Sequence, residues 1–389
     1  MEAHLRSRLA QKACRLFLFP LIVLPFVRFN VPDNSVASRA GSLAETAHMQ
    51  IARASHSSTL LPDGKVLIAG GFGGSGTESD PYRSAEIYDP GTESFRPAGN
   101  MTMGRSGHTA TRLKNGKLLI VGGWTGSYSL RRSAELYDPA AGLFTPTGDM
   151  GVERAGNTTA LLPDGKVLVA GGEDRSSNAL TSAELYDPAT GKFTRTGDMT
   201  EPRGQATATA LRNGKVLIVG GSSGQYPSQT VYRSAELYDP ATGKFALTGQ
   251  MTVGRHKHAA VLLASGKVLV VGGSDNRDWH GEYSSAEIYD PATGRFGATA
   301  DMNISRFKLP YAAVLLNNGT VLVAGGGSFA EVYDETKGSF SKVGGNLGAA
   351  RFFASATVLP DGNTLITGGY AEIGGRLPST AGAWIYKPE

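Results

Sequence analysis

Residues 160–172 read ALLPDGKVLVAGG, and a version of this stretch occurs seven times along the 389-residue chain. In every copy a short aliphatic run ends in two adjacent glycines. The first glycines of the seven pairs are Gly70, Gly122, Gly171, Gly220, Gly272, Gly325 and Gly368. Neighbouring pairs lie 43 to 53 residues apart, and a repeat of this length typically forms one four-stranded blade of a β-propeller.

Six of the seven repeats contain the signals of four short strands, and the seventh contains those of the first three. An Asp-Gly or Asn-Gly pair precedes the aliphatic run in six of the seven copies, as at Asp164-Gly165, and favours the tight turn of a β-hairpin. The apolar run 167–170 is typical of a strand covered on both faces. A third strand over 182–187 is followed by proline, which has no amide hydrogen for strand pairing. A fourth strand carries a phenylalanine, here Phe193.

These signals predict an all-β fold, a seven-bladed β-propeller of four-stranded antiparallel blades. The seventh repeat has no residues left for a fourth strand, since the sequence stops soon after the third. In five repeats the outer-strand phenylalanine lies 10 residues before the next leading arginine, and the same count back from Arg53 reaches Leu43. We therefore predict that residues near 42–47 complete the last blade, so that the propeller spans residues 42–389.

A glycine pair after an aliphatic strand, then Tyr-Asp, then an aromatic residue on the next strand resembles the kelch repeat. The resemblance runs from about residue 43 to the end and implies a propeller like the central one of galactose oxidases. The copper-radical site of those enzymes needs a cysteine cross-linked to a tyrosine, whereas the single cysteine here is Cys14, ahead of the propeller. We expect no copper-radical site, no disulfide and no cofactor.

The first 37 residues have a different composition. They begin with basic side chains and contain an apolar core of 12 residues, 16–27, which is shorter than the roughly 20 residues of a membrane-spanning helix. We interpret residues 1–37 as a signal peptide or an N-terminal membrane tether, so the propeller is expected to be secreted or periplasmic. This segment holds five of the 38 basic and two of the 34 acidic residues. The remainder is nearly neutral, which argues against nucleic acid as a partner.

One arginine leads into the first strand of every repeat. Radial symmetry should bring these side chains into a ring near one mouth of the central channel, and the kelch resemblance implies an anion-attracting binding face there. The alternative is structural, because a glutamate recurs in six third strands and could pair with the arginine of its own blade. The seventh repeat has Trp384 in place of that glutamate. The seven arginines are Arg53, Arg105, Arg154, Arg203, Arg255, Arg306 and Arg351.

The loops between the glycine pair and the third strand vary most, as binding loops on a rigid scaffold do. Aromatic residues gather in them and offer stacking area with a polar tip. The loop residues that we predict to bind a ligand are Trp124, Tyr226, Trp279, His280 and Tyr370.

Three histidines share the position three residues after the leading arginine: His56, His108 and His258. They could converge on a metal, but they fall in non-adjacent repeats, so we predict no metal site. No catalytic residues are assigned.

The sequence thus predicts a monomeric recognition module that binds a protein segment or a glycan at the propeller mouth. An alternative is a carbohydrate-acting enzyme similar to the kelch-type sialic-acid epimerases, with its site in the same mouth. A purely structural role is the third hypothesis.

Overall fold

Each of the seven repeats folds into a four-stranded antiparallel sheet in a computed structural model that describes residues 40–74, 80–126, 129–225, 228–374 and 376–389. The chain is therefore an all-β, seven-bladed propeller, as predicted. The predicted leader, residues 1–37, lies outside the described residues. Within the described ranges, no helix is long and apolar enough to cross a membrane.

The first two strands of every blade form a hairpin. The first strands, in blade order, are Ser57–Leu60, Thr109–Arg112, Thr158–Leu161, Thr207–Ala210, Ala259–Leu262, Ala313–Leu315 and Ser355–Val358. The second strands are Val66–Ala69, Leu118–Val121, Val167–Ala170, Val216–Val219, Val268–Val271, Val321–Val323 and Thr364–Thr367.

The third and fourth strands lie towards the rim of each blade. The third strands are Ser84–Asp89, Ala134–Asp138, Ala183–Asp187, Ser234–Asp239, Ala286–Asp290, Glu331–Asp334 and Ala383–Lys387. The fourth strands of blades one to six are Ser94–Asn100, Leu143–Pro146, Lys192–Arg195, Lys244–Gln250, Arg295–Ala298 and Ser339–Lys342. Two loop ribbons pair Trp124–Thr125 with Ser129–Leu130 and Ser222–Ser223 with Thr230–Val231, and Asp278–His280 is a 3₁₀-helix.

The fourth strand of blade seven comes from the other end of the chain. Ser42–Glu45 pairs antiparallel with Ala383–Lys387, and Leu43 lies opposite Tyr386. The Leu43 side chain is buried in the apolar cluster between blades six and seven. The predicted ring closure by the N-terminal strand is confirmed, with both the segment and the register position of Leu43 as expected.

The core consists of apolar layers between adjacent blades. The side chains of the second strands are almost fully buried on both faces, as the continuous apolar runs predicted. Blade two contributes Leu119 and Val121 to a cluster with Val167 and Val169 of blade three. A third-strand tyrosine contacts the outer-strand phenylalanine of its own blade in blades one to six, with ring centroids 4.7 to 4.9 Å apart.

The glycine pairs are required because neighbouring blades approach there. Gly171 and Gly172 have positive φ angles of 61° and 89°. A Cβ on Gly171 would lie 2.3 Å from the carbonyl oxygen of Arg203, in the segment that leads into the next blade. The Gly172 amide donates to that same oxygen at 2.8 Å. The repeated pair therefore forms a backbone contact between blades that any side chain would block.

The first strands surround the central channel, and blade six fills part of it. Its spacing from leading arginine to glycine pair is two residues longer than in the other repeats. Pro310 and Tyr311, in this longer segment, line a cavity of about 220 Å³ bounded by the first strands. The Tyr311 hydroxyl lies 3.5 Å from the carbonyl oxygen of His108 in blade two.

We predict that the N-terminal strand is needed for full stability. A chain that begins at His48 lacks Ser42–Glu45, so blade seven loses its strand pairing and the buried Leu43 side chain. A chain that begins at Ala40 keeps both and is the matched control. The melting temperature of the shorter chain should be lower by on the order of 5–10 °C, measured by circular dichroism. Equal melting temperatures would contradict the closure.

Candidate functional site

Six of the seven leading arginines are buried in ion pairs inside their own blades. The side chains of Arg53, Arg105, Arg154, Arg203, Arg255 and Arg306 are at most 1% exposed. Each pairs with a third-strand glutamate at 2.8 to 3.3 Å; the partners are Glu86, Glu135, Glu184, Glu236, Glu287 and Glu331. Each arginine also donates from Nη1 to the carbonyl oxygen of the first glycine of its pair.

The glutamates hold the segment that connects successive blades. In blade three, Arg154 Nη2 lies 2.9 Å from Glu184 Oε1, while Glu184 Oε2 accepts the Gly151 amide at 2.6 Å. Gly151 belongs to the chain that crosses from blade two to blade three. The expectation that these six arginines line an open binding face is therefore corrected, because their guanidinium groups are sequestered from solvent. The alternative, ion pairing within the blade, is what the structure shows.

The seventh arginine has a different environment. Arg351 is half-buried and makes no ion pair with a described residue. Its guanidinium carbon lies 5.3 Å from the ring of Trp384, the residue in the glutamate position, and its Nε donates to the Leu347 carbonyl at 3.0 Å. Burial lowers the pKa of Arg351, and the charge of Glu45 partly opposes that shift.

The residues two positions after the leading arginines form a ring around the axis, which we call the axial ring. All seven have positive φ angles, between 52° and 60°. Their backbones link successive blades: the Phe353 amide donates to the Lys308 carbonyl at 2.7 Å, and the Gly107 amide to the Ser55 carbonyl at 2.9 Å. The axial ring consists of Ser55, Gly107, Gly156, Gln205, Lys257, Lys308 and Phe353.

Five members of the axial ring are not glycine, although a left-handed conformation costs an L-residue about 1–2 kcal/mol. Non-glycine residues held in such conformations cluster at functional sites. The axial ring lies at the end of the blades where the first strands begin and the variable loops emerge, and we call this end the mouth. The side chains at the mouth are therefore the primary candidates for ligand contact.

One side of the mouth carries a cluster of charges around Asp278. Lys257 Nζ lies 2.9 Å from Asp278 Oδ1, and Lys308 Nζ lies 3.8 Å from Oδ2. His256 Nε2 lies 3.7 Å from Oδ1. Burial acts to raise the pKa of Asp278, but Lys257, Lys308 and His256 outweigh it and lower that pKa.

Burial also shifts the pKa values of the basic and acidic side chains around this carboxylate. It lowers the pKa of His256 to about 3, with Lys257 adding to the shift, and it lowers the pKa of Lys308 to about 7. Burial raises the pKa of the nearby Glu173 and Glu282 carboxyls. The cluster thus combines closely spaced groups whose pKa values are shifted by burial and by one another's charges.

The other side of the mouth is aromatic. Phe352 lies 5.6 Å from Tyr370 and 5.2 Å from Phe307, measured between ring centroids. Phe72 of blade one and Phe353 of blade seven complete the cluster, at 6.1 and 6.2 Å from Tyr370. The mouth therefore carries a charged half, from blades three, five and six, beside an aromatic half from blades one, six and seven, in which Phe72, Phe307, Phe352 and Tyr370 are buried and Phe353 is partly exposed.

Of the loop residues predicted to bind a ligand, only some lie together at the mouth. Tyr370 is buried in the aromatic half. Trp124 is half-buried, and its Cδ1 lies 3.7 Å from where a Cβ on Gly107 of the axial ring would be. His280 is exposed at the end of the 3₁₀-helix. Tyr226 lies outside the described residues, as does the side chain of Trp279.

Comparison with known proteins agrees with this architecture. The family described as "Kelch motif" matches residues 53–102, 154–200 and 255–303, which correspond to blades one, three and five. The chain therefore contains kelch motifs within a seven-bladed β-propeller. No curated protein sequence matches it significantly.

A solved structure similar to the kelch propeller is a fungal alcohol oxidase of the AA5 family in complex with copper. The superposition has a TM-score of 0.70 and 19% sequence identity, and it covers 90% of this chain and 76% of the oxidase. At this identity the likeness concerns the fold alone.

The described side chains of the propeller do not fit a copper site. Among the described residues no group of three His, Cys, Asp or Glu side chains is placed to hold a metal ion. The three histidines that share a repeat position contact hydroxyl groups of the preceding blade: His108 Nε2 lies 2.9 Å from Ser57 Oγ, and His258 Nε2 lies 3.0 Å from Thr207 Oγ1. His56 likewise contacts Thr367 at 2.9 Å.

The sequence analysis missed Lys257, Lys308 and Asp278. The two lysines could have been found by comparing the residues two positions after the leading arginines, where the seven repeats have five residue types and lysine is the only cation. Asp278 precedes the predicted Trp279 and His280, and its φ of 51° allows its side chain to reach the axis.

We predict that the paired arginines matter far more for stability than Arg351. Arg154→Met leaves Glu184 buried without its partner, which should lower the free energy of unfolding by about 3–5 kcal/mol. Arg351→Met removes a cation–π contact and one hydrogen bond, and should cost about 1–2 kcal/mol. Urea unfolding followed by fluorescence measures both. Equal losses would contradict the structural assignment of the six pairs.

We also predict that the buried histidines make stability depend on pH. Burial lowers the pKa of His108 from 6.5 to about 3, so between these values the unfolded chain binds the proton and the folded chain does not. Stability should therefore fall as pH drops below 6.5. His108→Asn, which copies Asn157 of blade three, removes this term. Between pH 7 and pH 5 the variant should lose about 2 kcal/mol less than the wild type, measured by urea unfolding. Parallel pH profiles would refute this.

Proposed function

We propose that this kelch propeller is a secreted or periplasmic recognition module that binds a protein segment or a glycan at its mouth. Kelch propellers commonly serve as protein-interaction modules. The observation that carries the proposal is the division of the mouth into a charged half around Asp278 and an aromatic half around Tyr370. A ligand with an apolar group beside Phe353 and polar groups beside Lys257 would contact the partly exposed residues of both halves. The proposed export rests on the sequence of residues 1–37.

The strained backbone of the axial ring supports this location. Lys257 and Lys308 have φ angles of 53° and 55°, where blades two and three have glycine. The two lysines are thus held in a costly conformation at the point where the blades converge. The six buried arginines take no direct part, because each is sequestered from solvent and paired with a glutamate inside its blade.

A carbohydrate-acting enzyme is the second candidate, and one observation favours it. Lys308, Glu173 and Glu282 all have pKa values moved towards neutrality by burial, and such shifts cluster at catalytic sites. An enzyme of this kind would accelerate anomer interconversion of a free sugar such as sialic acid, which NMR follows directly.

We predict that a charge reversal at the mouth abolishes ligand binding. Lys257→Glu places a second carboxylate beside Asp278, and should weaken binding of the recognised ligand at least tenfold. Lys192→Glu is the matched control, because Lys192 is exposed at the turn between the third and fourth strands of blade three, at the opposite end of the blade. The measurement is binding of the three proteins to an array of oligosaccharides and peptides.

Two outcomes would overturn the proposal. One is that the wild-type propeller binds no member of a broad array. The other is that Lys192→Glu weakens binding as much as Lys257→Glu, which would place the ligand away from the mouth.

A further inference from the structure

Arg351 lacks the contacts that hold the leading arginines of other blades. In blades one to five the leading arginine contacts three groups of its own blade: the carbonyl of the first glycine, a serine hydroxyl and the third-strand glutamate. Blade seven has Gly382 and Trp384 in place of that serine and that glutamate. Within the part of the chain that the structure describes, Arg351 makes none of the three contacts, and only its Nε donates, to the Leu347 carbonyl at 3.0 Å.

The other tasks of the missing glutamate are performed by different residues in blade seven. In blades one to six the glutamate also accepts the amide three residues before the arginine. In blade seven that amide belongs to Gly348 and donates to the Asn346 side chain at 2.8 Å. The space next to the blade is filled by Trp384, which is buried in the apolar cluster between blades six and seven. The connecting segment and the core are thus complete without a glutamate, whereas Arg351 has no carboxylate in contact.

The Arg351 guanidinium is nevertheless held in a defined position. Its carbon lies 5.3 Å from the ring of Trp384, and the hydrogen bond from Nε to Leu347 restricts its rotation. Its two terminal nitrogens make no hydrogen bond with a described residue, and the side chain is only half-buried. A planar guanidinium with both terminal nitrogens available binds a carboxylate through two parallel N–H···O bonds, and stacking on an aromatic ring is a second feature of arginine recognition sites.

Trp384 supplies another donor without an acceptor. Its Nε1 is buried and has no hydrogen-bond partner among the described residues, although buried polar groups are normally paired. Two donor groups without acceptors therefore lie on adjacent side chains. The charge of Glu45 acts on Arg351, but Glu45 is exposed and makes no ion pair with a described residue.

From these contacts we infer that Arg351, stacked on Trp384, binds the carboxylate group of a small acidic ligand at the boundary between blades six and seven. The bound carboxylate neutralises Arg351 as Glu184 neutralises Arg154 in blade three. This carboxylate site includes no residue of the axial ring, and it goes beyond the recognition proposed above.

The test measures protection of Arg351 from phenylglyoxal, which modifies accessible guanidinium groups. The wild-type protein is treated in the presence of sodium galacturonate or sodium N-acetylglycinate, and sodium chloride keeps the ionic strength constant. Peptide mass spectrometry gives the modification rate of each arginine, and Arg96, which is exposed, is the internal reference.

At least one of the two acids should slow the modification of Arg351 about threefold or more relative to Arg96, because a bound carboxylate covers both terminal nitrogens. The acid that protects at the lower concentration shows whether the ligand resembles a sugar acid or an amino-acid derivative. Galactose and N-acetylglycinamide are the uncharged counterparts and should give no protection.

Two variants change the charge beside Arg351 in opposite directions. Glu45→Gln removes an exposed competing carboxylate and should lower the acid concentration for half-protection severalfold. Glu93→Gln is the matched control, because Glu93 is exposed at the turn before the fourth strand of blade one, and it should leave that concentration unchanged. Trp384→Glu gives blade seven the glutamate of the other blades, so Arg351 should be modified slowly even without added acid. Because Trp384 is buried, Glu45→Gln decides the matter if Trp384→Glu does not fold.

Four results would overturn the carboxylate site. They are an unchanged modification rate of Arg351 in both acids, equal protection by the uncharged counterparts, no effect of Glu45→Gln on the protection, and stronger protection by inorganic phosphate than by either acid. These outcomes are independent of the ligand array, because the protection of Arg351 requires no ligand bound at the axial ring.

Discussion

The buried ion pair between the leading arginine and the third-strand glutamate is the interaction on which the blade depends. It joins the start of the first strand, the end of the second strand and the third strand of one blade, and the glutamate also binds the segment arriving from the blade before. In blade three these contacts are made by Arg154, Gly171, Glu184 and Gly151. Removing either charge would leave the other uncompensated in a dry interior, so each side chain can be buried at low cost only while its partner is present.

This arrangement also determines where function can lie. Because six arginines are buried in ion pairs inside the blades, they supply no charge to the mouth. The charges there come from Lys257, Lys308 and Asp278, which are placed by the left-handed turn of the axial ring and by the 3₁₀-helix of blade five. Blade seven differs from the others at two positions: Trp384 replaces the third-strand glutamate, and Phe353 occupies the axial ring. This blade contributes to the aromatic half.

The fold could be predicted from the sequence because its signals are local and repeat in phase. Glycine pairs, Asp-Gly turns and Asp-Pro strand ends each have a backbone cause, and counting back from Arg53 found the closing strand at Leu43. The burial of the arginines was harder to predict, since a ring of cations reads equally as a binding face until the position of Glu184 and its counterparts is known.

The candidate site was only partly predictable. Tyr370 and Trp124 lie at the mouth as loop position suggested, but Asp278 of blade five reaches Lys308 only because blades five and six lie side by side. No spacing rule connects a loop of one blade to the axial-ring residue of the next. Likewise, nothing in the sequence of the longer segment of blade six indicated that Tyr311 lines the central channel.

The claim that the arginine–glutamate pairs are scaffold is tested most directly by a double-mutant cycle. The free energy of unfolding in urea is measured for the wild type, Arg154→Met, Glu184→Gln and the double variant. We expect a coupling energy of roughly 2–3 kcal/mol, with the double variant more stable than the sum of the single losses implies. Losses that add to within about 0.5 kcal/mol would show that the two side chains do not depend on each other. That result would contradict the scaffold role of the pairs.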